Sequence, residues 1–243
     1  RRPEMSATFG VLSLAHHDPS ILRYFSLIEH SAQRMSSIAY NGVRDLRIVR
    51  YPELNQPSGE RYLDCLRSHA CIGCTSETPL FQNTLSETRL ARYQDVIVAI
   101  HGDVRNLGEL YQSLREEGHL KASSTFIAAV PALINRFLNQ GFDPSQAINR
   151  ALEQMTGTFS LCLMLKQHPD QLFAAHRGVS MAIGVQQNAY AIVTEPEALK
   201  KDYPMRITLG YGQQVCLSQE PIQLRDICGR RITPRFDSAH TCR

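Results

Sequence analysis

Residues Ile97–Gly118 read IVAIHGDVRNLGELYQSLREEG, and the rest of the chain is arranged around them. Val96 to Ile100 is a short apolar run rich in β-branched residues, halted at His101-Gly102-Asp103; this predicts a strand and a turn. Beyond the turn, Leu107, Leu110, Tyr111 and Leu114 recur at intervals of three and four, and Gly118 closes the pattern. That periodicity predicts an amphipathic helix. A strand, a glycine turn and a helix are common to many folds, so the flanking chain has to narrow the choice.

Composition excludes several classes. Of the 243 residues, 43% are hydrophobic and 20% charged, the proportions of a packed core. The net charge of +3 is dispersed and forms no basic stripe, so nucleic acid is not expected as a partner. No apolar run approaches ~18 residues, so no membrane span is expected. The opening Arg1-Arg-Pro-Glu4 lacks the apolar core of a secretory signal, and its origin stays open. The 7 cysteines, an odd number with several inside apolar runs, point to a reducing cytoplasm. Cys71-Ile-Gly-Cys74 is a CxxC without a second knuckle, so neither metal nor other cofactor is expected.

Outward from the central stretch, Phe9–Leu14 predicts a strand near the start. Asp18 then caps a helix with Pro19 at its first position and Ile21, Leu22, Phe25, Ile28 and Met35 on its core stripe. Ile38–Tyr40 and Leu46–Tyr51 flank Asn41-Gly42, the signature of a hairpin. Pro52–Glu60 and Thr75–Arg92 read as polar loops on either side of a strand at His69–Cys74. Thr125–Gln140 and Ser145–Met155 predict helices, the second opened by Asp143-Pro144. Strands follow at Thr158–Leu165, Leu172–His176, Met181–Val185, Tyr190–Val193, Gln213–Leu217 and Gln223–Ile227, with a short helix at Glu195–Leu199. With strands at both ends and helices between, the chain reads as one α+β domain over 1–243, with flexible tails at 1–7 and 233–243.

The letters add a resemblance. Gly102–Gly118 is similar to the segment of class II glutamine amidotransferases that reads HNGIIENYEELRxxLxxxG. Gly157-Thr-Phe-Ser-Leu-Cys-Leu-Met164 resembles that family's GAYALAVL strand, and Leu172–Gly184 its LxAARxGxPLxIG hairpin. Val193–Leu199 resembles ASDxxAL, and Ile72-Gly73 with Thr75 falls on IGHTRWAT. The pieces keep the family's order from about Phe9 to Leu217, and resemble most the glutaminase domains of hexosephosphate aminotransferases. The resemblance implies an Ntn-hydrolase four-layer αββα sandwich, two antiparallel sheets between helix layers.

It also implies a chemistry. Active members attack the glutamine amide with an N-terminal cysteine whose own α-amine is the base. An Asn and the following Gly N–H of the HNG turn stabilise the oxyanion. An Arg and an Asp bind the carboxylate and amine of glutamine. Carried over, the nucleophile falls on Phe9 and the oxyanion Asn on His101, with its glycine kept as Gly102. The HTR histidine falls on Cys74, the carboxylate-binding Arg on Ser76 and the amine-binding Asp on Phe126. With residues ahead of Phe9, no free amine stands there either.

The expectation is therefore a catalytically inactive amidotransferase-like protein with regulatory, scaffolding or partner-binding work. Its former glutamine pocket would be lined by Phe9, Ser76, His101, Gly102 and Phe126. A homodimer or a separate partner subunit is expected, and a small-molecule ligand is left open. The alternative is an Ntn-type amidohydrolase of altered specificity, with Thr8 (made N-terminal by a cut after Ala7) or Cys74 as nucleophile. In that case His101 serves as base, with His69 or Asp103 orienting it. His16-His17 reads as the start of the first helix.

Overall fold

The computed structural model describes residues 6–14, 34–42, 45–50, 68–76, 89–199 and 203–238. Six strands come first: β1 (Ser6–Ser13), β2 (Arg34–Asn41), β3 (Leu46–Arg50), β4 (Ala70–Ser76), β5 (Leu90–Tyr93) and β6 (Val96–Val104). Helices α1 (Leu107–Glu116), α2 (Ala129–Asn139) and α3 (Pro144–Gln154) follow. The second strand series is β7 (Gly157–Leu165), β8 (His168–Arg177), β9 (Ala182–Gln186), β10 (Ala189–Val193), β11 (Met205–Thr208), β12 (Gln214–Leu217), β13 (Gln223–Arg225), β14 (Arg231–Ile232) and β15 (Asp237–Ser238).

These strands form two antiparallel sheets. One is ordered β15-β11-β9-β10-β1-β4-β2-β3 and the other β14-β13-β12-β8-β7-β6-β5. The seven-stranded sheet is built on β6 and β7, paired without a break from Val96↔Leu165 to Val104↔Gly157. Val96, Val98 and Ile100 pack outward with Phe159, Leu161 and Leu163 against the helices. Ile97, Ala99, Cys162 and Met164 face the other sheet, meeting Leu12, Ile72, Ile183 and Ile192 there. The far face of the eight-stranded sheet buries Phe9, Val11, Ile38, Tyr40 and Tyr203.

The helices start and stop for local reasons. Asp143 accepts from the Gln146 N–H (2.9 Å) while Gln146 Oε1 accepts from the Asp143 N–H (3.2 Å), a capping box ahead of Pro144. Asn106 donates from Nδ2 to the Gln154 carbonyl (2.8 Å) and accepts from the Thr156 N–H (2.9 Å). The start of α1 is thereby tied to the end of α3. The expected stripe of α1 is buried at Leu110, Tyr111 and Leu114.

Several boundaries depart from the sequence expectation. Met35, expected on the first helix, sits in β2; the rest of that helix, His16-His17 and the Pro52–Glu60 loop lie outside the described residues. Leu90–Tyr93 falls in the expected polar loop yet forms β5, because β6 supplies its hydrogen-bonding partners. β11 has no counterpart in the sequence expectation, and pairs with β9 and β15. Ser6 and Ala7 already pair with Ser76 and Thr75, and Asp237–Ser238 with β11, so part of each expected tail is sheet.

Candidate functional site

The site is a polar layer at one end of the space between the sheets, and strand register builds it. Thr8 lies opposite Cys74, which lies opposite Ser37 on its other side. Thr194 joins this row: the Thr8 N–H donates to Thr194 Oγ1 (3.0 Å), and the Thr194 N–H donates to the Thr8 carbonyl (3.1 Å). On the facing sheet, His101 lies opposite Ser160, and Ser160 opposite His176. Alternation along each strand aims both rows inward, since Leu12, Ile72, Ala99, Cys162 and Ala174 of the same faces share the inter-sheet core.

The two rows occupy the same end of the sandwich. The Cys74 thiol meets the Thr8 hydroxyl, the Ile100 backbone and the field of Arg89. Arg89 is anchored by donating from Nη1 to the Gly102 carbonyl (3.0 Å), while its own carbonyl accepts from the Ile100 N–H (2.8 Å). Burial first, and Arg89 second, lower the His101 pKa from its ordinary value, so the imidazole is neutral at pH 7. Burial pushes the Cys74 thiol up to about 12, outweighing the Thr8 hydroxyl beside it and the pull of Arg89. At pH 7 roughly one such thiol in 10⁵ is thiolate, the reactive form.

Four members of the layer stand out for unmet polarity. Thr8 Oγ1, Ser37 Oγ, Ser160 Oγ and both ring nitrogens of His176 are buried without a hydrogen-bond partner among the described residues. Each such group costs about 1–3 kcal/mol when it is left dry. Ser160 and His176 are lateral neighbours, yet no hydrogen bond couples them into a nucleophile–base pair. Among the described residues no group of three His, Cys, Asp or Glu side chains stands close enough to hold a metal ion. Cys71 and Cys74 of the CxxC point to opposite faces of β4, and neither forms a disulfide among the described residues.

The residues singled out from sequence are thus divided. Thr8, Cys74 and His101 come together in the layer. Gly102 adjoins it, with φ +95° and the Thr158 carbonyl 2.2 Å from where a Cβ would stand. Ser76 ends β4, pairing with Ser6 and Arg34. Phe9 points the other way, its ring filling the space above Gly73 in the outer cluster, where a Cβ on that glycine would lie 2.4 Å from it. Phe126 lies on the helix side of the seven-stranded sheet, 61% exposed, with its ring 4.6 Å from that of Tyr111. The residues expected to line one pocket therefore do not gather at one place. Of the proposed orienting groups, His69 lies at the opposite end of β4 from Cys74, and Asp103 is exposed. Sequence reasoning missed Arg89, Ser37, Ser160, His176 and Thr194. Their signal was a lone polar residue within or beside an apolar strand run, as in Phe159-Ser160-Leu161 and Ala175-His176.

Comparison with known proteins agrees with this architecture. The chain is 29% identical over 141 residues to glutamine–fructose-6-phosphate aminotransferase [isomerizing] of Zymomonas mobilis, a region covering 57% of this chain and 23% of that protein. It spans about a quarter of the length of the relatives it matches, 23% and 24% for the Zymomonas and Methanothermobacter proteins. The glutamine phosphoribosylpyrophosphate amidotransferase of B. subtilis, solved with ADP and GMP, superposes with a TM-score of 0.68 at 19% identity over 91% of this chain and 49% of that one. A glutamine aminotransferase class-II domain protein from Silicibacter pomeroyi superposes with a TM-score of 0.57 at 13% identity, covering 91% of this chain and 99% of its own. No protein-family model matches the chain. The fold is that of the class II, Ntn-type glutamine amidotransferases. None of its described helices is long and apolar enough to cross a membrane.

Proposed function

We propose that this amidotransferase-like domain does not hydrolyse glutamine and serves as a regulatory, scaffolding or partner-binding unit. One observation carries the reading: of the two candidate nucleophiles in the interior layer, the Cys74 thiol and the Thr8 hydroxyl, neither is prepared for attack. Cys74 is kept protonated by burial. Thr8 lies within β1, its N–H spent on Thr194 and the two residues before it paired into the sheet. An Ntn mechanism needs that nitrogen as a free amine. The partner is a second copy of the chain or a separate subunit, and the compartment is the cytoplasm. The buried thiols of Cys71, Cys74, Cys162 and Cys216, none in a disulfide among the described residues, suit such a reducing setting.

Purified protein incubated with glutamine, with glutamate as the readout, tests the proposal. The expected result is no release above the protein-free control. Turnover that disappears in Thr8→Ala or Cys74→Ala would overturn it. A specific observation keeps the second reading, an amidohydrolase of altered specificity, in play. Among the described residues, Ser160 Oγ and the His176 ring find no hydrogen-bond partner in the same layer as Thr8 and His101, as groups awaiting a substrate would be. Intact-mass measurement on protein from its native host separates the two, since a mature chain beginning at Thr8 supports hydrolysis.

A further inference from the structure

A second polar site lies away from this layer, on the helix side of the seven-stranded sheet. A cavity of about 220 Å³ opens between α3 and the β12–β13 ladder. Gln214 and Arg225 are cross-strand partners in that ladder. Both sit on the face that Cys216 presents to the helices, because alternation aims Val215 and Leu224 into the other core. Across from them, α3 and the turn before it contribute Ser145, Asn149, Arg150 and Phe142.

We infer that this cavity binds a small phosphate ester through Arg150 and Arg225. Gln214 lines the cavity though it is only 3% exposed, and its Nε2 is buried behind the wall without a hydrogen-bond partner among the described residues. A buried amide donor left unmet, at a cavity wall, is a donor placed for something absent from the protein itself. Arg225 Nε is also buried and unpartnered, while its Nη1 donates to the Gly229 carbonyl (2.9 Å) and so fixes the guanidinium. The Arg150 guanidinium lies 5.4 Å from the centre of the Phe142 ring, which holds it over the opening.

Charge selects the ligand class. No carboxylate lines the cavity among the described residues. The neighbouring acids are engaged outside it: Glu153 accepts from Asn149 (3.1 Å) and stands 3.9 Å from Arg150, Asp143 accepts from the Gln146 N–H (2.9 Å), and Asp226 is paired with Arg230 at 2.9 Å. Among the described residues the two guanidinium groups share only the distant Glu153 contact between them, and a phosphate dianion offers each of them a charge-assisted hydrogen bond. The volume lies below the ~300 Å³ at which drug-sized pockets begin, so the ester has few atoms beyond its phosphate.

Calorimetry and thermal melting at constant ionic strength test this, with glycerol 3-phosphate and inorganic phosphate as probes and acetate, malonate and chloride as controls. Glycerol 3-phosphate is expected to bind and raise the melting temperature, with at least a tenfold loss of affinity in Arg150→Gln and a several-fold loss in Gln214→Leu. The Arg150 side chain is 55% exposed, so its variant folds even if the Gln214 variant does not. Binding of malonate as tight as that of glycerol 3-phosphate, absence of any phosphate response, or unchanged affinity in Arg150→Gln would each overturn the inference. Glutamine turnover does not enter the readout, so this result is independent of the glutaminase test.

Discussion

The His101 imidazole sits on the inner face of β6 with its proton affinity reduced, chiefly by burial and further by the neighbouring Arg89 cation. A group whose folded pKa is depressed below its unfolded value favours folding fully above the unfolded pKa. As pH falls below ~6.5 the unfolded chain binds a proton that the folded one refuses, and stability declines until the folded pKa is reached. Denaturation midpoints measured between pH 7 and pH 5 are therefore expected to fall for the native protein and to fall less for His101→Gln. Equal slopes would remove His101 as the source. The Asp45, Glu117 and Asp226 carboxylates are instead lowered, mainly by their hydrogen bonds with Arg92, Arg136 and Arg230. Their contributions persist through this window and are lost only as pH drops below ~4, so the two effects separate.

At the scale of elements, the turn expected at His101-Gly102-Asp103 is strand instead: β6 runs on to Val104, because β7 pairs with all three residues. Gly102 adopts φ +95° within β6, and a Cβ there would stand 2.2 Å from the Thr158 carbonyl and 2.8 Å from the Phe159 Cα. Both contacts are with backbone of the adjacent β7, which cannot move without breaking the ladder. Gly102→Ala combines a left-handed backbone penalty with overpacking, and is expected to cost about 2–4 kcal/mol in urea denaturation. A cost under ~1 kcal/mol would show that the β6–β7 ladder relaxes there. β5 illustrates the reverse dependence. Leu90-Ala-Arg-Tyr93 has little intrinsic strand character, yet β6 pairs with it, and Arg92 reaches Asp45 in a two-oxygen contact (2.9 and 3.0 Å) that links it to the β2–β3 hairpin.

For the whole molecule, the decisive contact is between the sheets. The Cys162 sulfur of β7 lies 2.6 Å from where a Cβ on Gly10 of β1 would be, so the sheets approach each other through a glycine. Gly10→Ala is expected to destabilise by about 1–3 kcal/mol. On a Cys162→Ala background the same substitution should cost at least ~0.5 kcal/mol less, since the two sites share the space. A double-mutant cycle by chemical denaturation measures this, and strict additivity would mean that the sheets are not in contact there.

Much of the fold was legible because it is written in local signals. The Asp143-Pro144 cap, the Asn41-Gly42 hairpin and the stripe on α1 each follow from short-range chemistry that acts wherever the chain goes. The amidotransferase likeness was legible as an ordered set of such segments. The division of the site was not. β1, β4, β6 and β7 are buried on both faces, so their apolar runs carry no alternation to say which side chains look inward. Register and sheet stacking alone turned Phe9 outward and set Thr8, Cys74 and His101 in one layer with Ser160 and His176. Neighbours in that layer lie on strands separated in sequence, and only tertiary pairing brings them together. The sequence by itself determined the elements that carry local signals; the tertiary structure decided the strands that pairing alone creates, β5 and β11, and which faces meet, because a strand's side-chain direction has no meaning until a second sheet covers it.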